Sequence, residues 1–363
     1  MKQFKRSLWS RLQDWTYAHK KLSIGLSVGL FLISIGGGVA AWLLIPAPQA
    51  TAAPIVQAEE PTAETPPPTF YSPLTGIPVA DEAATKRQVT GIMIENSPSA
   101  RPQSGIKEAG IVFEAIAEGG ITRLATLHQE DRPGLIGPVR SLRPYYLEWM
   151  APFDASISHV GGSATALNTV RSGAFKDIDQ FFNGGSYWRA TDRHAPHNVY
   201  TNSDKLDELN KKKGFTSSSF TAWPRKAETP SASPTATLIN IAVSSPTYDV
   251  RYEYDKTTNN YIRFVGGAPS KDRETGQVAP KVVIALKVPT QLGFEDGYRE
   301  QMSTNGHNDA YIFQDGVVTK GIWRKTGQKN QMAFYDKNGH VIALNPGQTW
   351  ITVAAPEKSV KWQ

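Results

Sequence analysis

The 363-residue sequence predicts an α/β (or α+β) N-terminal domain with a mixed sheet, then a small, mainly antiparallel β domain, the pair preceded by a single transmembrane helix. Three observations carry this fold class. Residues 22–45 contain no charge, residues 70–223 interleave strand-like with helix-like segments, and residues 237–357 are almost wholly strand-like.

The N-terminal elements come first. "LSIGLSVGLFLISIGGGVAAWLLI" (22–45) is 24 positions long, enough to cross a hydrocarbon core of about 30 Å as a helix. Lys2, Lys5, Arg6, Arg11, Lys20 and Lys21 precede it against the lone acid Asp14. The positive-inside rule therefore makes 1–21 a basic cytoplasmic tail and puts the rest outside, in a single-pass chain. A cleaved signal peptide is the rival reading, because Ala50-Thr51-Ala52 resembles a cleavage site; its apolar region would normally span only about 7–15 residues. Phe4, Leu8, Leu12 and Trp15 recur at near-helical spacing, which suits either a helix lying on an anionic surface or a short solvated tail. Residues 46–69 hold seven prolines and form a semi-extended spacer.

The whole chain carries a formal +6, but residues beyond 44 hold 33 basic against 32 acidic groups, a net of +1. No global excess is left outside the membrane to attract nucleic acid, so any anion site must be local. There is no cysteine. That excludes thiolate zinc sites, cysteine nucleophiles and attachment through an acylated N-terminal cysteine.

In the first globular part, "VTGIMIEN" (89–96), "GIVFEAIA" (110–117), "ITRLATLH" (121–128) and "ASISHVGG" (155–162) read as strands. Glu118-Gly119-Gly120 is a short hairpin connection. "PYYLEWMA", "SATALNTVRS" and "SDKLDELNKKK" read as helices. The last has Ser203 as expected N-cap, acids early, lysines late and Gly214 after it. A Pro/Ser/Thr-rich break at 224–236 is expected to be a linker between two independently folding domains. In the second part, "YDVRYEYD", "NYIRFVGG", "KVVIALKVP", "AYIFQDGVVTKGIWRK", "QMAFYDKNGHVIAL" and "TWITVAA" read as strands. Asp315-Gly316 and Asn338-Gly339 are hairpin signals, and the whole predicts a small antiparallel sheet or barrel.

Several ordered blocks resemble the YerB-like lipoproteins, bacterial envelope proteins with two consecutive domains of uncharacterised function. They are "YSPLTGIPV" (71–79), "IENSPSARPQSGI" (94–106), "GIVFEAIAEGGITRL" (110–124), "IGPVRSLRPYY" (136–146), "SHVGGS" (158–163), "RHAPHNVY" (193–200), "GIWRK" (321–325) and "NPGQTWI" (345–351). The resemblance spans about 71–357 and implies two consecutive envelope domains, with no established reaction. One departure is the anchor, a hydrophobic helix in place of an acylated cysteine.

The candidate chemistry is an anion site. Arg101, Arg123, Arg140, Arg143 and Arg193 lie in these blocks, and Arg189 stands just before the 193–200 block. Arg140 and Arg143 stand just before Pro144, so a helix start and two guanidinium forks are expected to converge on one anion. Against this, each arginine could pair with a neighbour such as Glu114, Glu118 or Asp192 and pin a loop. "DRHAPHNVY" (192–200) is expected to be a shaped loop feeding a strand, with Arg193 turned toward the arginine-lined face. His159, His194, His197 and Asn198 complete the candidate ligand set, with Ser163 after Gly161-Gly162 as a weak anion cradle. Ser163 lacks the nucleophile-elbow pattern, and the histidines lack metalloprotease spacing, so neither a catalytic serine nor a metal or cofactor is expected. Trp323 and Trp350 are expected in the core rather than lining a sugar or peptide surface. Two functions follow. One is an extracytoplasmic envelope protein binding a wall polymer, a phosphate-bearing precursor or a peptide carboxylate, or acting as scaffold for an envelope protein partner. The other is a phosphotransferase or hydrolase acting on such a polymer or its lipid-linked precursor. A pocket bringing a histidine or carboxylate within reach of the arginines would favour the second.

Overall fold

The structure is a computed structural model that describes residues 70–363 and, before them, only Tyr17, Ala18 and Lys21. The expected transmembrane helix, the expected spacer and the rest of the expected basic tail lie outside the described residues. Among the described residues no helix is long and apolar enough to cross a membrane. Residues 70–363 belong to a single compact unit.

The first part supplies β1 (Thr90–Glu95), β2 (Ile111–Glu118), β3 (Ile121–His128), β4 (Ser156–His159), β5 (Lys176–Asp179), β6 (Trp188–Arg189) and β7 (Val199–Tyr200). It also holds helices Glu82–Lys86, Pro144–Met150, Ala164–Val170 and Ser203–Lys212. The second part supplies β8 (Leu238–Ile241), β9 (Val250–Asp255), β10 (Asn260–Val265), β11 (Ala268–Pro269), β12 (Lys271–Asp272), β13 (Gly276–Gln277) and β14 (Val282–Lys287). It continues with β15 (Thr290–Phe294), β16 (Arg299–Met302), β17 (Gly306–Gln314), β18 (Val317–Lys325), β19 (Ala333–Asp336), β20 (Thr349–Ala354) and β21 (Val360–Trp362).

Local chemistry explains the joints. Gly119 and Gly120 adopt φ of 56° and 75° between β2 and β3, and Asp315-Gly316 take 58° and 77° between β17 and β18, as tight hairpins require. The N-cap of the last helix is Asn202 rather than Ser203, its side chain accepting from the Lys205 amide. The shift is one residue, because Asn caps at least as well as Ser.

The expected order along the chain holds: a mixed-sheet part with the helices, then a helix-free part dominated by antiparallel pairs. The second part is nevertheless not a separate sheet or barrel. One twelve-stranded sheet runs β19-β18-β17-β14-β20-β2-β3-β1-β4-β5, with the β15–β16 hairpin attached through β16 to β2. Strand β20 sits at the seam, parallel to β14 (Ile284↔Ile351) and parallel to β2 (Phe113↔Ile351). A five-stranded sheet, β11-β10-β9-β8-β21, is the other main layer.

Both cores are shared. One face of the large sheet buries Met93, Phe113 and Ala125 with Ile284, Leu286 and Ile351 under Trp149 and Met150. The other buries Ile92, Val112 and Leu124 with Val283, Phe313 and Trp350 against Ile239, Tyr252 and Tyr261 of the smaller sheet. Alternate residues of one strand thus serve opposite cores, which is why β1, β14 and β20 are buried at every position.

The break at 224–236 is likewise no open linker. Trp223 is buried and donates to the Met332 carbonyl at 2.6 Å. The Arg225 guanidinium reaches the Asn345 carbonyl at 2.9 Å, and Lys226 pairs with Asp315 and Asn345. The segment shares its Pro-rich composition with residues 46–69, but Arg225, Lys226 and Thr229 are bound to Asn345 and Asp315 of the second part's turns.

Candidate functional site

Residues 190–198 form a loop closed on itself. The Ala190 amide donates to the Asn198 carbonyl, and the His197 amide donates to the His194 carbonyl. The Asn198 side chain donates to the Ala190 and Arg193 carbonyls and accepts from Arg189 at 2.8 Å. Asn198 is therefore a brace and not a contact residue. The loop feeds the short strand β7, as expected. Arg193 spans from it to the turn at 97–103, donating to the carbonyls of Ser99 (3.2 Å) and Pro102 (2.6 Å).

That turn carries Arg101. Its Nε donates to the Asn96 carbonyl and side-chain oxygen at 3.1 and 3.2 Å. One terminal nitrogen reaches the Thr247 carbonyl at 3.2 Å, and the group lies over Tyr248, 5.3 Å from the ring centre. The other terminal nitrogen is buried without a partner. Arg273 enters from the turn between β12 and β13 and pairs with Asp192 at 2.6 Å.

Together Ser99, Arg101, Asp192, Arg193, His194, His197 and Arg273 line an open pocket of about 450 Å³. Hollows of similar size elsewhere, about 380 and 390 Å³, have no charged side chain in their linings. Among the described residues neither Arg101 nor Arg193 forms an ion pair with a carboxylate; both are held by neutral oxygens. Burial lowers the Arg101 guanidinium from its ordinary value, and the buried Glu114 carboxylate pulls it back up. The pocket wall therefore carries two positive charges without a paired carboxylate and a third, on Arg273, shared by Asp192 at 2.6 Å and Glu274 at 3.5 Å.

A histidine–carboxylate pair adjoins it. His197 Nδ1 lies 2.8 Å from Glu95 Oε2. Ser97 donates to Glu95 Oε1 at 2.9 Å. Arg140 Nε stands 3.2 Å from Oε2 as an ion pair, without hydrogen-bond alignment. Behind the pocket, fully buried Glu114 accepts from Asn96 (3.1 Å), Trp350 Nε1 (3.0 Å) and Arg263 (2.7 Å to each oxygen). Gln103 donates to Asn96 Oδ1 at 2.8 Å and joins the same network.

Arg101, Arg193, His194 and His197 therefore converge; other expected members do not. Arg140 and Arg143 do not share an anion. Pro144 does open a helix with Arg143 at the N-cap, but Arg143 pairs with Glu118 while Arg140 faces Glu95. Arg123 joins Arg143 on Glu118, with its Nη2 2.6 Å from Oε1. Burial alone would raise the Glu118 carboxyl, yet the two guanidiniums hold it below the usual range. Arg189 is occupied by Asn198. His159 is fully buried, its ring nitrogens against the Gly161 carbonyl (2.8 Å) and Asp177 (3.1 Å). Ser163 caps Ala164–Val170, and the amides of Gly161 and Phe181 are taken by Asp179 Oδ1. The expected cradle is filled by the protein's own carboxylate. Trp323 and Trp350 are buried, as expected.

Sequence reasoning missed Arg273, Glu95 and Ser99. Arg273 is brought in from the second part by the hydrogen bond its backbone amide donates to the Gln103 carbonyl at 2.7 Å. No local pattern in "KDRETG" signals that pairing. Glu95 and Ser99 lie inside the "IENSPSARPQSGI" block, where neither carries a local signal of its role. Among the described residues no group of three or more His, Asp or Glu could hold a metal.

Comparison with known proteins places this geometry among relatives. Residues 74–216 match the N-terminal domain of "Protein of unknown function (DUF3048)", and residues 239–351 match its C-terminal domain. The chain is 34% identical over 288 residues to the Bacillus subtilis (strain 168) protein named "Putative lipoprotein YerB", covering 78% of this chain and 85% of that protein. The crystal structure of YerB from Bacillus subtilis superposes with a TM-score of 0.72 at 29% identity, over 80% of this chain and 99% of that one.

Proposed function

The chain belongs to the DUF3048 family of two consecutive domains, and from that premise we propose an extracytoplasmic cell-envelope protein, held at the membrane by its N-terminal segment, that binds an anionic envelope ligand. The ligand classes are a phosphate-bearing wall precursor, a teichoic-type polymer or a peptide carboxylate. One observation carries the reading: Arg101 and Arg193 line an open pocket with no carboxylate of their own. Guanidiniums held only by neutral oxygens keep a full charge at the pocket wall, and that charge suits phosphate or carboxylate oxygens. The uncharged segment 22–45 and the lipoprotein name of the Bacillus subtilis relative support the membrane address, reached here by a helix.

The test is a thermal melt of the full-length chain in non-ionic detergent, titrated with inorganic phosphate, glycerol 3-phosphate, short poly(glycerol phosphate) and acetate. Binding raises the melting temperature with ligand concentration. Arg101→Leu or Arg193→Leu should remove the shift, each lost charged contact weakening binding by about 1.5–3 kcal/mol, roughly ten- to a hundredfold. Tighter binding of the oligomer per phosphate identifies a polymer, and equal binding a terminal head group. A wild type unmoved by all four probes refutes the reading.

A second reading, an extracytoplasmic phosphotransferase or hydrolase, is favoured by the Glu95–His197 pair. Glu95 orients the ring through Nδ1, and among the described residues Nε2 has no hydrogen-bond partner. A ring so held can take or give a proton beside a bound phosphoryl group. Hydrolysis of bis(p-nitrophenyl) phosphate that His197→Gln abolishes, with phosphate binding retained, would establish it; no turnover by the wild type rejects it.

A further inference from the structure

The third guanidinium of the pocket is already occupied, and the manner of its occupation points to the ligand. Arg273 has a fixed backbone. Its amide donates to the Gln103 carbonyl at 2.7 Å, and the neighbouring Asp272 carboxylate accepts from the amides of Ile106, Glu274 and Thr275 at 2.8, 3.0 and 3.2 Å. Asp192 is the opposite case. Its side chain is 53% exposed, stands in the bend of the 190–198 loop, and has Arg273 as its ion-pair partner. That bond, with the nearby positive charge, holds the Asp192 carboxyl below its usual range. A half-exposed ion pair of this kind is weak and exchanges readily with solvent.

We infer that the pocket takes a phosphate ester with at least two anionic oxygens, and that Asp192 is its resident competitor, displaced from Arg273 when the ester binds. The inference rests on the anion-binding reading above. A single carboxylate is satisfied by one guanidinium fork and has no need of Arg273. A phosphoryl group bridging Arg101 and Arg193 has further oxygens to present, and Arg273 is the remaining charged donor on the wall. Asp192 then does two things. It neutralises Arg273 together with the more distant Glu274 at 3.5 Å while no ester is bound, and it sets a threshold that weakly charged anions do not pass, because they gain too little from the third arginine to expel it.

The experiment is calorimetric titration of the full-length chain with inorganic phosphate, glycerol 3-phosphate and acetate. It compares wild type, Asp192→Asn, Arg273→Leu and the double variant. The expected result is that Asp192→Asn tightens both phosphates by about two- to fivefold, the scale of an exposed ion pair, and leaves acetate unchanged. In the Arg273→Leu background the same substitution should change nothing, because the competitor has lost its partner. Melting curves without ligand check that the exposed Asp192 position leaves the fold intact. Wild type binding phosphate with Asp192→Asn binding it equally or more weakly overturns the competitor role and leaves the anion site standing. Acetate gaining as much as phosphate overturns the phosphate-ester assignment. Absence of binding to all three probes by every variant overturns the site itself.

Discussion

Removing Arg263 should destabilise both halves of the protein together. Arg263 on β10 and Glu114 on β2 have side chains exposed by 1% and 0%, and the guanidinium meets both carboxylate oxygens at 2.7 Å. It also lies over Trp350 of β20, 4.3 Å from the ring centre. The Arg263→Leu variant leaves the Glu114 carboxylate buried with only Asn96 and Trp350 as donors. Breaking a buried pair from one side costs about 3–5 kcal/mol, a large fraction of the ~5–15 kcal/mol that keeps a domain folded. The double variant Glu114→Leu/Arg263→Leu removes both charges and should recover most of that loss, since apolar replacement of a buried pair is often neutral. Urea unfolding followed by tryptophan fluorescence and far-ultraviolet circular dichroism measures both. If the halves share one core, the single variant shifts a single transition and both probes move together. A loss under 1 kcal/mol, or two separated transitions of which one stays put, would refute the reasoning.

Three further outcomes follow from the same contacts. Separately expressed 70–223 and 237–363 should each fail to melt cooperatively, because β20 is missing from the first and β2 from the second; two cooperative melts would show independent domains. Burial depresses His128 from 6.5 to about 4, so the unfolded chain binds the extra proton first and stability falls as pH drops from about 6.5 to 4, by ~3 kcal/mol in all. His128→Gln should flatten that limb in pH-dependent urea melts, and an unchanged slope contradicts the assignment. Glu118 is held low by Arg123 and Arg143, so its contribution is complete above its ordinary value of 4.5 and is lost as pH falls below it. Arg143→Leu should therefore lower stability at neutral pH, narrow the loss on acidification, and leave phosphate affinity unchanged; weaker phosphate binding would return Arg143 to the site.

What the sequence determined by itself was local. The strands, the hairpins at Gly119-Gly120 and Asp315-Gly316, and the helices at 144, 164 and 203 follow from apolar period, turn residues and caps, which act over a few positions. The loop "DRHAPHNVY" was legible for the same reason: Pro196 shapes it from within and Arg193 is left over, whereas Asn198, expected to meet the ligand, braces the loop instead. Nothing in "TWITVAA" marked a strand buried on both faces: Thr349 and Thr352 interrupt its apolar residues, and the parallel pairing with β14 and β2 is what buries them. Tertiary structure alone decided which arginine keeps a free charge. Arg143 and Arg193 look alike in sequence; Glu118 returns from a neighbouring hairpin to neutralise one, while only carbonyls meet the other. Arg273, 80 residues from Arg193 along the chain, joins the pocket because a backbone hydrogen bond to Gln103 draws it there. Ion pairs and cavity walls depend on which distant segments the shared core brings into contact, and no pattern within either segment encodes its partner.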